Sequence, residues 1–365
     1  MQKLPGQLLP QRARRVKSRD RKGAESVQDT CVPGFSEPHP LDAADQHVVE
    51  ARLLLSCPHS PPHPTTGQIC YHEEIARHPG EPTMYFIDPH IHMISRVTDD
   101  YHRMALSGCV AISEPAFWAG FDRGSAEGFR DYFRHLTEVE PRRAAQFGIK
   151  HFSWLCINAK EAENVSLSRD VIALIPEFLD KPNVLGIGEI GLNKNTRNEA
   201  TIFQEHLDLA ARTNELILIH TPHLEDKYKG TRMIIDMLKG DSRVDPARVC
   251  IDHVEEHTVR LALDGGYWCA MTLYPTTKCT PQRAADIIEM VGGERIMANS
   301  AGDWGKSDPL AVPELILELR RRGHAEGLIR RIVYDNPLAF WRQCVRWQDF
   351  SSPADAALAP TAGSA

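Results

Sequence analysis

The chain has 365 residues, 42% of them hydrophobic, and a formal net charge of −7. No apolar run approaches the roughly 18 residues of a membrane span, and the most apolar stretch near the start, Ala51–Leu55, is interrupted by Arg52 and shorter than a secretory h-region of about 7 residues. A membrane helix and a disulfide-stapled secreted scaffold are both excluded: the nine cysteines are scattered without a Cys-x-x-Cys pair, which suits a reduced, cytoplasmic setting.

Residues 1–83 show no sustained helical or strand period and are broken by Pro33, Pro38, Pro40, Pro58, Pro61, Pro62, Pro64 and Pro82. They read as a disordered leader. Three readings compete for its basic head, Arg12-Ala13-Arg14-Arg15-Val16-Lys17: a targeting peptide, a nucleic-acid arm, or a start codon assigned too early. The last is favoured, because patterned sequence begins directly at Met84. The leader carries ten Lys/Arg and ten Asp/Glu, so the whole −7 belongs to the rest of the chain. An acidic body disfavours tight binding of long nucleic acid, since neutralising phosphates takes clustered Lys and Arg.

From Met84 to about Trp347 short apolar runs alternate with longer amphipathic ones, the pattern of repeated βα units on a parallel sheet. Eight strands are predicted: Tyr85–Asp88, Cys109–Ser113, Phe152–Ile157, Val184–Glu189, Leu216–His220, Val249–His253, Trp268–Leu273 and Arg295–Asn299. Helices are predicted over Ala126–Val139, Arg169–Leu179, Ala200–Asn214, Lys227–Leu238, Pro281–Val291 and Leu310–Arg322. Thr280-Pro281 and Asp308-Pro309 have the form of helix starts, a capping side chain followed by Pro in the first turn. Eight strands over this length imply a single α/β domain, a TIM (β/α)8 barrel over residues 84–347, with an open doubly wound sheet as the alternative and residues 348–365 as a disordered tail.

Residues suited to metal chemistry fall at the carboxyl ends of these strands. The first leads into Asp88-Pro89-His90-Ile91-His92, the fourth ends in Glu189, the fifth in His220, the sixth in His253, and the turn after the eighth holds Asp303. Taken singly, each has an ordinary structural explanation, such as a hydrogen-bonded core histidine or a turn aspartate. In a closed barrel those ends converge on one face, where four imidazoles and two carboxylates suffice for two divalent cations with a shared carboxylate.

The combination of Asp88-Pro89-His90-Ile91-His92, Gly188-Glu189-Ile190-Gly191-Leu192, strand-end His220 and His253, and Asp303 resembles the TatD-like metal-dependent hydrolases of the amidohydrolase superfamily. The closing stretch Asp335-Asn336-Pro337-Leu338-Ala339-Phe340 resembles that family's terminal Asn-Pro segment. The resemblance implies one metal on His90, His92, Glu189 and Asp303, and a second on Glu189, His220 and His253. Two features depart from the nuclease pattern. A Glu-Thr-Asp turn is replaced by Asn299-Ser300-Ala301-Gly302-Asp303-Trp304-Gly305, and aromatic loops follow the second and seventh strands, Glu114–Phe121 and Leu273–Lys278. These features are similar to the TatD-related hydrolases of the bacterial Ebo gene clusters, and they put a DNase substrate in doubt.

The expected reaction is metal-assisted hydrolysis of an ester, amide or phosphodiester. A water bound between two divalent ions (Zn, Mn or Mg) loses a proton near neutral pH, and Asp303 accepts or orients it, with Glu189 bridging. Glu114, Trp118, Tyr274 and Lys278 are candidate substrate contacts, and Phe117 and Trp304 candidate apolar walls. Glu255 and Glu256, close behind His253, are candidate supports for it, although a solvated helix start fits them better. The expected substrate is a small molecule or nucleotide, with no membrane partner. A 3'-5' deoxyribonuclease is the first alternative and would draw on Lys194, Arg197, Lys227, Lys229 and Lys278. A non-catalytic metal-binding barrel in a biosynthetic or transport pathway is the second.

Overall fold

The computed structural model describes residues 84–222 and 226–349, so the leader and the tail beyond Asp349 lie outside the described residues. Eight parallel strands follow one another in sequence order: β1 (Phe86–Asp88), β2 (Cys109–Pro115), β3 (Lys150–Leu155), β4 (Val184–Gly191), β5 (Leu216–His220), β6 (Val249–Ile251), β7 (Trp268–Thr272) and β8 (Ile296–Asn299). β8 and β1 are stitched just past their ends. The Ala301 N–H donates to the His90 carbonyl (2.7 Å) and the His92 N–H to that of Gly302 (2.8 Å). The expected barrel is thus nearly closed, with helices around it.

Period-two alternation builds two apolar layers. On β5, Ile217 and Ile219 join the layer beneath the helices, whereas Leu216 and Leu218 join an inner cluster with Ile87, Trp154, Cys250 and Met297. The C-terminal segment completes the inner cluster. Asn336 donates to the carbonyls of Gly293 (2.8 Å) and Ile296 (2.7 Å), which fixes Phe340 against Trp154 and Trp341 against Phe152. These contacts seal the end where the strands begin and leave the opposite end for chemistry.

Helix boundaries differ from the prediction where proline intervenes. The stretch predicted as Ala126–Val139 widens into a π turn at His135–Val139 and continues to Ala145, with Pro141 two residues past the π turn. The same spacing recurs at Arg331–Asp335 and Pro337. A proline ring crowds the carbonyl four residues back and offers no N–H, so a wider preceding turn accommodates it. Helix Arg169–Leu179 instead starts at Val165, capped by Asn164, and divides before Pro176. Thr280 caps Pro281–Val291 as expected, accepting from the Arg283 N–H. Asp308 instead accepts from the Leu310 N–H in the turn ahead of a helix that begins at Ala311. Among the described residues no helix is long and apolar enough to cross a membrane.

Candidate metal centre

His90 and His92 sit in the loop after β1 rather than on the strand. Asp88 accepts from the His90 N–H (3.2 Å) and from the Ser300 hydroxyl (2.6 Å), and so ties this loop to β8. The two Nε2 atoms end 3.0 Å apart. Glu189 occupies a register shift of β4 against β5, between Ile187 and Ile190. Neighbouring Gly191 lies at φ 145°, and a Cβ there would stand 2.1 Å from the His220 carbonyl oxygen, so β4 can approach β5 this closely only with glycine. His220 continues the inward parity of Leu216 and Leu218. His253 has φ 59°, which breaks strand alternation and lets consecutive Asp252 and His253 face one site.

Glu189 Oε2 is the meeting point. It lies 3.0 Å from His220 Nδ1, 3.2 Å from His253 Nε2 and 3.9 Å from His90 Nε2, while Oε1 accepts from the Asn158 amide (3.1 Å). His253 Nε2 and His220 Nδ1 are themselves 3.0 Å apart. Two buried sets of donors, His90–His92–Glu189 and Glu189–His220–His253, each have their donor atoms within 4.8 Å of one another and share the carboxylate. The outward nitrogens are anchored. Asp252 Oδ2 accepts from His90 Nδ1 (2.5 Å), and the Thr272 hydroxyl oxygen from His253 Nδ1 (2.6 Å), which turns both Nε2 lone pairs toward the centre.

The electrostatics suit ligation. Burial holds His92, His220 and His253 below the ordinary imidazole value, hence neutral. Burial works in the same direction on His90, but the Glu189 and Asp252 carboxylates outweigh it and raise that group. Burial alone would push Glu189 up, and the surrounding imidazoles, His220 first, bring it well below the usual carboxylate range. Imidazole nitrogens converging on a buried carboxylate are the donor set of Zn, Mn, Fe, Ni and Co sites. The residues fit a metal.

The cluster floors a cavity of about 210 Å³ at the open end of the barrel. Trp118, Tyr274, Lys278, Phe117 and Trp304 line it, as does Asp303. Phe117 stacks on the His92 ring at 3.9 Å between centroids. Burial lowers the Lys278 ammonium from its ordinary value. Asp303 stands apart from both donor sets, because its Oδ1 accepts from the Tyr274 hydroxyl (3.1 Å) and the Gly305 N–H (2.7 Å). Ala301, at φ 40°, is the β8-end residue that faces the cavity.

Glu114 does not reach the cavity. Its parity on β2 matches Ile112, beneath the helices, where it accepts from the Ile94 N–H (2.8 Å) and meets His151 Nε2 (2.9 Å). Lys227 pairs with Glu255 (3.4 Å) and Arg283 with Glu256 (2.6 Å), so those acids stabilise loops. Of the five basic residues considered for a nuclease, Lys278 lines the cavity and Lys194, Arg197, Lys227 and Lys229 do not. Sequence reasoning missed Asp252, Asn158, Thr272 and Lys160. The available signal was the Asp-His pair at Asp252-His253, read as the end of a regular strand.

A family model described as TatD-related DNase matches residues 137–308. An uncharacterized metal-dependent hydrolase of Methanocaldococcus jannaschii is 31% identical over 258 residues, spanning 70% of this chain and 99% of that protein. Among solved structures, the TatD-like protein of Archaeoglobus fulgidus is similar with a TM-score of 0.59 and 25% identity, covering 70% of this chain and all of that one (100%). An organophosphorus hydrolase of Deinococcus radiodurans shares the fold at TM-score 0.52 and 14% identity, over 71% of this chain and 92% of its own.

Proposed function

Because the chain belongs to the TatD-like metal-dependent hydrolases, we propose that its buried cluster holds two divalent cations through a shared Glu189 and hydrolyses an ester, amide or phosphodiester bond of a small molecule. The observation that carries this reading is the position of Glu189 Oε2 between two imidazole pairs. His90, His92 and Glu189 would hold one ion, and Glu189, His220 and His253 the other. Divalent ions there supply Lewis acidity and bring the pKa of a bound water toward neutrality. The imidazole-rich donors favour Zn or Mn over Mg.

The protein's own part is positioning and proton handling. Asp252 and Thr272 fix the ring orientation of His90 and His253, and Asn158 fixes the carboxylate of Glu189. Asp303, held on the rim by Tyr274 and Gly305, receives the proton given up by the attacking water. Phe117 shields the face of His92 from solvent. A cavity of about 210 Å³ suits a small substrate. A 3'-5' deoxyribonuclease is the second reading, supported by the description of the matching family model, and a space this size would admit only a strand end.

The test is metal content together with turnover, on the full chain purified without chelator and reconstituted with Zn or Mn. Two ions per chain, one or none in Glu189→Ala, and hydrolysis of members of a panel of esters, lactones, amides and bis(4-nitrophenyl) phosphate are expected. Absence of bound metal overturns the reading. Degradation of single-stranded DNA from its 3' end with the panel untouched replaces it with the nuclease.

A further inference from the structure

We infer that Lys160 and Lys278 form a dedicated anion subsite in the wall of the same cavity, so that the substrate carries a carboxylate or phosphate apart from the bond that is cleaved. The inference rests on the hydrolase reading above and narrows its substrate class. Lys160 lies in the turn Ala159–Glu161 after β3, and Lys278 in the loop after β7. Strands three and seven are four apart in a ring of eight, so the two ammonium groups approach from opposite sides of the mouth.

Both are held in place without being neutralised. Lys160 Nζ sits 5.0 Å from the centroid of the Trp118 ring and Lys278 Nζ 5.1 Å from that of Tyr274, each half-buried. An aromatic face steadies an ammonium while leaving N–H donors free for another acceptor. The backbone fixes the stems. Asn158 Oδ1 accepts from the Lys160 N–H (3.1 Å), and the Lys278 N–H donates to the Tyr274 carbonyl (2.8 Å). Among the described residues neither ammonium has an ion pair or a side-chain hydrogen bond, in contrast to Lys227, which has Glu255 and the Pro222 carbonyl. The other wall carboxylate, Asp303, is engaged by Tyr274 and Gly305.

Two ammoniums without a direct ion pair, beside a site for divalent cations, repel that charge and each other, in a chain whose net charge is −7. The Glu189 and Asp252 carboxylates offset part of this at Lys278, but among the described residues no carboxylate makes an ion pair with either ammonium. An anionic ligand seated between the two lysines supplies that partner. Trp118, Phe117 and Trp304 leave an apolar lining for the body of the molecule between its anionic end and the metal-facing end.

The experiment compares the metal-loaded wild type with a Lys160→Met/Lys278→Met double variant on a matched pair of esters, 4-nitrophenyl acetate and mono-4-nitrophenyl glutarate. Calorimetric titration with glutarate and with glycerol phosphate is run beside it. A charge-assisted hydrogen bond supports a preference of about tenfold to a hundredfold in kcat/KM for the carboxylated ester. The variant should bring that ratio near unity and weaken the preferred ligand by a similar factor. Direct binding of either ligand to the metals persists in both proteins and cancels in the comparison. Loss confined to glutarate assigns a carboxylate substrate, and loss confined to glycerol phosphate a phosphate. Equal turnover of the two esters by wild type, or a preference that survives the double substitution, overturns the subsite. If neither ester is cleaved, the ester reading fails, and the calorimetric difference between the two proteins still decides the subsite.

Discussion

Asp252→Asn isolates the part of the metal centre contributed by a residue that never faces the cavity. Every contact to the Asp252 carboxylate comes from a donor or an imidazole: His90 Nδ1 (2.5 Å), the His253 N–H (2.5 Å), the Thr272 hydroxyl (3.1 Å) and the Asn299 amide (3.0 and 3.1 Å). An asparagine must direct its NH2 at one side of that arrangement. If the NH2 faces His253 and Thr272, donors oppose donors. If it faces His90, Nδ1 must accept, and the ring proton moves to Nε2, the atom that points at His92 and Glu189. Either outcome weakens the centre. Loss of such an orienting carboxylate typically costs about 10–100-fold in metal affinity, or about 1.4–2.7 kcal/mol. Competition for Zn against a chromogenic chelator at pH 7.5 measures it, and urea unfolding of the metal-free proteins separates affinity from stability. A well-folded variant whose affinity stays within about threefold of wild type would refute the orienting role.

Two further predictions concern the frame. His206 is buried, its Nδ1–H donating to the Ile202 carbonyl (2.9 Å) and its Nε2 accepting from the Ile157 N–H (3.3 Å), and burial lowers it to about 4. The neutral ring therefore contributes stability above the unfolded value near 6.5, and this is lost as pH falls from 6.5 toward 4. At pH 5 the loss is about 2 kcal/mol relative to pH 7. The stability difference between wild type and His206→Gln should shrink by that amount from pH 7 to pH 5 in urea titrations, and a pH-independent difference contradicts the assignment. Trp341, fully buried against Phe152 at the sealed end, should cost about 3–5 kcal/mol as Trp341→Ala, with unfolding again the readout. A loss under about 1 kcal/mol would mean that the C-terminal segment does not close the barrel.

The barrel was legible because every strand is a short buried apolar run whose neighbours in sequence are its neighbours in space, so locating the runs nearly fixes the topology. His90, His92, Glu189, His220 and His253 were legible for the same reason: strand ends in a closed barrel share a face, and all five meet there. Glu114 was misplaced although the information was present. Ser113 faces the barrel interior, where it accepts from Trp154 Nε1, and alternation then sends Glu114 outward. Asp252 and Asp303 belong to another class. Asp252 keeps the inward parity of Cys250, and what departs from alternation is His253 at φ 59°, as Ala301 does at φ 40°, conformations that a sequence normally marks with glycine or asparagine. Histidine and alanine give no such mark, so a regular strand ending in an inward His253 turned Asp252 outward, and nothing indicated that Ala301 would face the cavity. The candidate ligands could be read from where strands end; which neighbours surround them depends on how the chain leaves each strand, which the surrounding packing imposes and local residue type does not declare.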